Sequence, residues 1–173
     1  FQHSGWPNHV VNLVTGNGAT GQALVLNRRV KKICFTGSTA TGKHIAKLAA
    51  DRLVPVSLEL GGKDAMLITD DADLDLAADA AVYGAFVNAG QACVSTERVY
   101  VEHSLKEEFT AKVIERVKRL SLDGGDGLGM GPIITPVQRA IIQEQIEEAT
   151  QGGAKIPIGG KTEGSFVEPT VLT

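Results

Sequence analysis

Cysteine is scarce in this chain, two in 173 residues, and the two are not spaced as a disulfide framework. No apolar run reaches the length that spans a membrane. No basic stripe is present: Lys and Arg are scattered and the net charge is −3, which argues against a nucleic-acid surface. No secretory signal pattern is visible. The histidines, His3, His9, His44 and His103, lack metal-ligand spacing. Asp70, Asp71, Asp73 and Asp75 are dense but lack the glycine and distal glutamate of a calcium loop, and read as helix N-terminal charge. Glu144, Glu147 and Glu148 read as a solvated helix face. The expectation is a globular chain without membrane, nucleic acid or metal, and a reducing, cytoplasmic setting because a thiolate nucleophile must stay reduced. Its 43% hydrophobic and 21% charged composition suffices for the core of one or two small units.

The pattern along the chain alternates strand and helix. Val10–Val14 is a strand candidate, Gln22–Leu26 helical, and Lys32–Phe35 a strand in which Cys34 reads as a buried thiol. Ala40–Leu53 is an amphipathic helix with Ile45, Leu48, Ala49 and Leu53 on one face, punctuated by Pro55. Val56–Leu60 follows as a strand. This βαβαβ order implies a parallel sheet covered by helices. Ala65–Ile68 is a further strand, Asp73 caps a helix through Val87, Glu97–Val101 is strand and Leu105–Leu120 helix. Ser121–Ile134 is a glycine-rich loop, Pro136 opens a helix ending near Gly152-Gly153, and Lys155–Ile158 is a short strand. The domain boundary falls at Gly61-Gly62, giving segments 1–60 and 61–173.

Three motifs compete for a phosphate site. Gly16-Asn17-Gly18-Ala19-Thr20-Gly21 fits G-x-G-x-x-G, but no acidic residue follows before Asp51, where a dinucleotide fold wants one about 20 positions on. Gly37 to His44 nearly fits a P-loop, yet His44 replaces the hydroxyl that holds Mg²⁺. The third reading takes Gly37-Ser38 as the turn opening a helix whose N–H groups face a pyrophosphate. An ordinary Ser cap has the same geometry.

Two residues suggest covalent chemistry. Cys93 follows a Gly90-Gln91-Ala92 turn after a helix-like segment, where a thiol can meet a substrate. Glu59 is an acidic residue inside an apolar strand before a Gly-Gly break. A carboxylate buried there is raised in pKa and suited to general base work. An edge-strand Glu facing water would look the same, as would a small buried cysteine. A cysteine nucleophile with a separate glutamate base fits a thioester that is formed and then hydrolysed. A Cys–His hydrolase would need His103 beside Cys93.

Leu58-Glu59-Leu60-Gly61-Gly62-Lys63 and Gly90-Gln91-Ala92-Cys93, with Glu59 and Cys93 34 residues apart, resemble the two active-site signatures of the aldehyde dehydrogenase superfamily. Phe35-Thr36-Gly37-Ser38 with Gly42 resembles its cofactor turn, Glu97–Val101 the strand after the nucleophile, and Glu168-Pro169-Thr170-Val171 a later landmark. The likeness covers essentially the whole chain, in order.

The resemblance implies a Rossmann-like parallel half-domain (1–60, second half of an NAD(P)-binding domain), then the first part of an α/β catalytic domain (61–173). It implies oxidation of an aldehyde to an acid with NAD or NADP, Cys93 as nucleophile and Glu59 as base. Gly37, Ser38, Gly42, Leu60 and Gly61 would lie on the cofactor, and Lys63 would have a structural or orienting role. Ser95, where many members have Ala or Gly, would bear on substrate fit. Family members run well over twice this length, so the resemblance implies segments on both sides, among them an oxyanion-binding Asn and a Glu for the nicotinamide ribose. It also implies a homodimer or homotetramer in the longer protein, and a piece that is inactive alone. A CoA-acylating relative would not need Glu59.

Overall fold

The computed structural model describes residues 5, 7, 9–122 and 129–173. His3 and positions 123–128 of the glycine-rich loop lie outside them. The chain divides into two compact units, Phe1–Gly61 and Gly62–Thr173.

The first unit is a β-α-β with a helix before it. Asn17 caps α1 (Gly18–Leu26), its side chain accepting from the Ala19 N–H at 3.1 Å. This helix starts four residues earlier than the sequence pattern placed it. β1 (Ile33–Gly37) and β2 (Val56–Leu60) pair in parallel, Ile33 opposite Val56 through Gly37 opposite Leu60. α2 (Thr39–Ala50) makes the crossover that a parallel pair requires. Val25, Ile33, Ile45 and Ala49 form its core, with Phe35, Leu48 and Val56 against it. The Arg52 guanidinium donates to the carbonyls of Val25, 2.6 Å, and Val30, 3.0 Å, and so ties the end of α1 to the end of α2.

Three expectations fail here, each for a local reason. Val10–Val14 is not a strand, and Leu13 is 89% exposed. A strand is made by pairing, and none of the described residues pairs with it. Leu53 is not on the helix face: α2 ends at Ala50, and Leu53 has φ 52° and is 90% exposed. Pro55 disfavours helical backbone at Val54, so the chain must turn out before it. Cys34 is exposed, not buried. Side chains alternate along β1, Ile33 faces α2, and Cys34 therefore faces the opposite side, with Thr36, Ser57 and Glu59.

The second unit repeats the parallel plan. β3 (Asp64–Ile68) pairs with β4 (Thr96–Val101) around α3 (Leu74–Phe86), and Glu97 is the extra residue of a bulge between Asp64–Thr96 and Ala65–Arg98. α4 (Lys106–Val117) sets Phe109, Val113 and Val117 at intervals of four, one stripe that packs on Ala77, Ala78, Ala81 and Val82 of α3 and on Ile68. The alanines let the two helices approach closely. Asp73 caps α3 by accepting from Asp75 and Leu76 N–H groups. Thr135 caps α5 (Pro136–Gln151), which buries no residue. β5 (Thr162–Glu163) and β6 (Phe166–Val167) form a hairpin.

Lys155–Ile158 is not a strand. Lys155 exchanges bonds of 2.9 and 3.0 Å with Thr173, and Ile158 bridges Val171, but Pro157 between them has no N–H to give. Asp75 does more than charge a helix end: its carboxylate binds Lys112 at 2.9 Å and Arg116 at 3.0 Å across to α4.

Candidate active site

Cys93 is exposed on a turn whose shape is set before it. α3 gives way to a short 3-10 segment, Val87–Gly90, in which Asn88, Ala89 and Gly90 are all left-handed, at φ 53°, 56° and 72°. Two of these carry a Cβ, and such backbone persists only where surroundings hold it. Here they do. The Asn88 side chain donates to the Gln91 carbonyl at 3.1 Å. The Gln91 amide donates to the carbonyls of Asn88, 3.1 Å, and Pro132, 3.2 Å, and accepts from the Ile134 N–H at 2.9 Å. Ser95, only 4% exposed, donates its hydroxyl to the Gly90 carbonyl at 3.1 Å. Its hydroxyl is thus bonded to the turn.

Sequence reasoning missed this brace. Gln91 was legible as part of a motif, but the bonds that hold it come from residues 41 and 43 positions downstream, beyond any local pattern.

Glu59 sits in β2 opposite Thr36, one residue before the strand ends. It is exposed, so the burial invoked for it does not occur among these residues; its side faces away from the α2 core by strand alternation. Glu59 belongs to the first unit and Cys93 to the second.

Four of the proposed cofactor residues come together at the carboxyl end of β1 and β2. Gly37 and Leu60 are opposite each other. Ser38 caps α2, its hydroxyl accepting from the Thr41 N–H at 3.2 Å, and Gly42 is the first to bond within the helix, to the Ser38 carbonyl at 2.9 Å. By helix geometry the Thr39 and Ala40 N–H groups remain at the exposed helix end. A Cβ on Gly42 would lie 2.7 Å from Leu60, and one on Gly37 would lie 2.5 Å from the Phe35 ring. Gly42 thus lets α2 sit on β2. At Gly61 a Cβ would meet nothing within 4 Å. The carboxyl end of parallel strands, beside a helix N-terminus, is where α/β folds take phosphorylated ligands.

The competing chemistries lose ground in this geometry. Thr39 to Lys43 are already helical, leaving no loop to wrap a triphosphate. Cys93 precedes β4 and His103 follows it, so a six-residue strand, roughly 20 Å at about 3.3 Å per residue, separates the pair. Among the described residues no group of three or more His, Cys, Asp or Glu is placed to hold a metal, and no helix is long and apolar enough to cross a membrane. Lys63 pairs with Glu97 at the bulge after the Cys93 turn.

Comparison with known proteins bears on the whole chain. The family model for the aldehyde dehydrogenase family matches residues 1–173. The chain belongs to the aldehyde dehydrogenase family. It is 41% identical to a probable NADP(+) succinate-semialdehyde dehydrogenase of Sinorhizobium fredii, over 98% of this chain and 36% of that protein. Among solved aldehyde dehydrogenase structures, a succinate-semialdehyde dehydrogenase from Burkholderia pseudomallei superposes with TM-score 0.92 at 34% identity, covering 99% of this chain and 37% of that one. A betaine aldehyde dehydrogenase from Staphylococcus aureus in complex with NAD+ gives 0.89 at 39% identity, over 97% and 35%. The α/β fold with parallel pairs is therefore the Rossmann-like fold of the aldehyde dehydrogenases. The chain spans about a third of the length of these relatives.

Proposed function

We propose that this chain carries the nucleophile and the general base of an NAD(P)-dependent aldehyde dehydrogenase that oxidises an aldehyde to a carboxylic acid. The observation that supports this most directly is Cys93 itself, an exposed thiol on a turn held by side-chain bonds from three residues. Residues 1–60 are the second half of the nucleotide-binding domain in this reading, and 61–173 the start of the catalytic domain.

Cys93 attacks the aldehyde carbon as thiolate, forming a thiohemiacetal. Its backbone N–H is one donor to the oxyanion, and a second comes from outside this chain. The Thr39 and Ala40 N–H groups and the α2 N-terminus would hold a dinucleotide pyrophosphate, close to Gly37 and Leu60, joined by the Ser38 hydroxyl once it turns from the Thr41 Oγ1 to which it donates at 2.9 Å. When bound, that cofactor supplies the hydride acceptor that turns the thiohemiacetal into a thioester. Glu59 takes a proton from the water that cleaves the thioester, and the Cys93 thiolate is restored. The Sinorhizobium relative is named for NADP(+) and the Staphylococcus structure holds NAD+, so either dinucleotide suits the family. A retained Glu59 favours water over CoA as the acyl acceptor.

The test is NAD(P)+ reduction by the longer protein that carries this chain, with a panel of aldehydes. Cys93→Ala is expected to lower the rate by at least about 10⁴-fold, the scale of removing a nucleophile. Glu59→Gln is expected to keep the first-turnover burst and lose about 10²–10⁴ in turnover. A normal rate in Cys93→Ala would overturn the reading.

A further inference from the structure

We propose that Gln91 is a positioning residue that fixes the Cys93 turn to a second, independently anchored segment; this rests on Cys93 being the nucleophile. The segment is Gly131–Ile134 with Met130 before it. Met130 and Ile133 are each 5% exposed, and the Ile133 N–H donates to the Ser165 carbonyl at 2.8 Å, beside the β5–β6 hairpin. The Ile133 bond to Ser165 and the Met130 N–H bond to the Ser121 carbonyl, 2.7 Å, are anchors of this platform made away from the turn.

Gln91 joins the two. Both amide hydrogens and the amide oxygen are used: one hydrogen goes to Asn88, inside the left-handed run, and the other hydrogen and the oxygen go to Pro132 and Ile134 on the platform. The side chain is therefore a double-ended tie, local at one end and remote at the other. The turn it holds is one that Asn88 and Ala89 would leave if released, because φ near +55° is uphill for any residue with a Cβ. Gln91 is two residues from Cys93. Rotation of the turn would carry with it the thiol and the Cys93 N–H that faces the oxyanion. A nucleophile displaced by about 1 Å loses on the order of 100-fold in rate.

Ser95 does not duplicate this. Its bond to the Gly90 carbonyl pins the turn to its own exit, five residues on, and reaches nothing beyond.

The experiment uses the longer protein that carries this chain, with Gln91→Ala and Gln91→Asn. The Asn amide is one methylene shorter, so it cannot reach Asn88 and the platform at once. It also serves as the milder variant should Gln91→Ala fail to fold. Three readouts are taken well below Tm: the burst rate of NAD(P)H formation per folded site, KM for the dinucleotide, and the rate of Cys93 alkylation by iodoacetamide across pH. Both variants are expected to lose roughly 100-fold in burst rate, to alkylate Cys93 with an altered pH profile, and to keep the dinucleotide KM. A fall in Tm with burst rate and alkylation profile unchanged would mean a structural brace only, and overturns the proposal. So do wild-type values throughout. Cys93→Ala run in parallel separates the two readings. If it stays active, the nucleophile assignment fails and the proposal with it. If it is dead while Gln91→Asn and Gln91→Ala match wild type, only the positioning role falls.

Discussion

β1–β2 and β3–β4 are both parallel pairs built around one crossover helix, and they differ in what they leave bare. In the first unit the uncovered side carries Cys34, Thr36, Ser57 and Glu59, all polar or weakly so. In the second it carries Ala65 and Leu67, 72% exposed, beside Arg98 and Tyr100, 54%. Parallel sheets are ordinarily covered on both faces. A polar bare face with a carboxylate near its end suits a site; one with a leucine and a tyrosine suits another layer of protein. The cores differ too. Eight residues close around α3 and α4 in the second unit, against four around α2 in the first, so the second should tolerate less disturbance at its centre.

The sharpest way to break that contrast is to truncate one side chain in each core and measure urea unfolding of the longer protein. Phe109→Ala is expected to cost about 3–5 kcal/mol, because the ring is closed in by α3 and cannot be replaced by collapse. Ile45→Ala is expected to cost about 2–3 kcal/mol, the low end for its type, since fewer neighbours surround it. Equal losses would show that the first core is as closely packed as the second.

A smaller effect separates cap from cofactor site. Ser38→Ala removes the α2 cap and is expected to cost about 1 kcal/mol of stability. If Ser38 also faces the dinucleotide, KM for the cofactor rises while the aldehyde KM does not. A stability loss with no change in KM leaves Ser38 as a cap alone.

Much of this was open to reading in the chain. Ile45 and Ala49 follow helical period and are buried; Ser38, Asp73 and Pro136 mark helix starts where helices start. Local chemistry fixed those positions. Where the outcome depends on what lies across a gap, the sequence was silent. Val10–Val14 has strand composition and no partner among the described residues. Cys34 sits in an apolar run, yet its side is uncovered. Gln91 takes its meaning from Pro132 and Ile134. The Cys93 turn was legible as a turn, but not its three left-handed residues, because Asn-Ala-Gly admits several conformations and the braces choose one.

The ion cluster between α3 and α4 gives the smallest effect and a clear sign. Hydrogen bonds first from Lys112 and then from Arg116 hold the Asp75 carboxyl below its ordinary range. Asp75 in turn holds Lys112 up, and Arg116 is held up by Asp79 first and then by Asp75. A carboxyl whose folded pKa lies below its unfolded value stabilises at pH above about 4, and that contribution is lost as pH falls through the folded value. Lys112 runs the other way: its contribution is complete below its ordinary range and is lost as pH rises through the folded value. Asp75→Asn should therefore lower Tm slightly across neutral pH, slightly because the carboxylate is 66% exposed and water screens it. The gap from wild type should close as pH falls below the ordinary carboxylate range and Asp75 takes up its proton. A gap of constant size across that fall would show that the loss is one of shape at the start of α3 and that the charges contribute nothing.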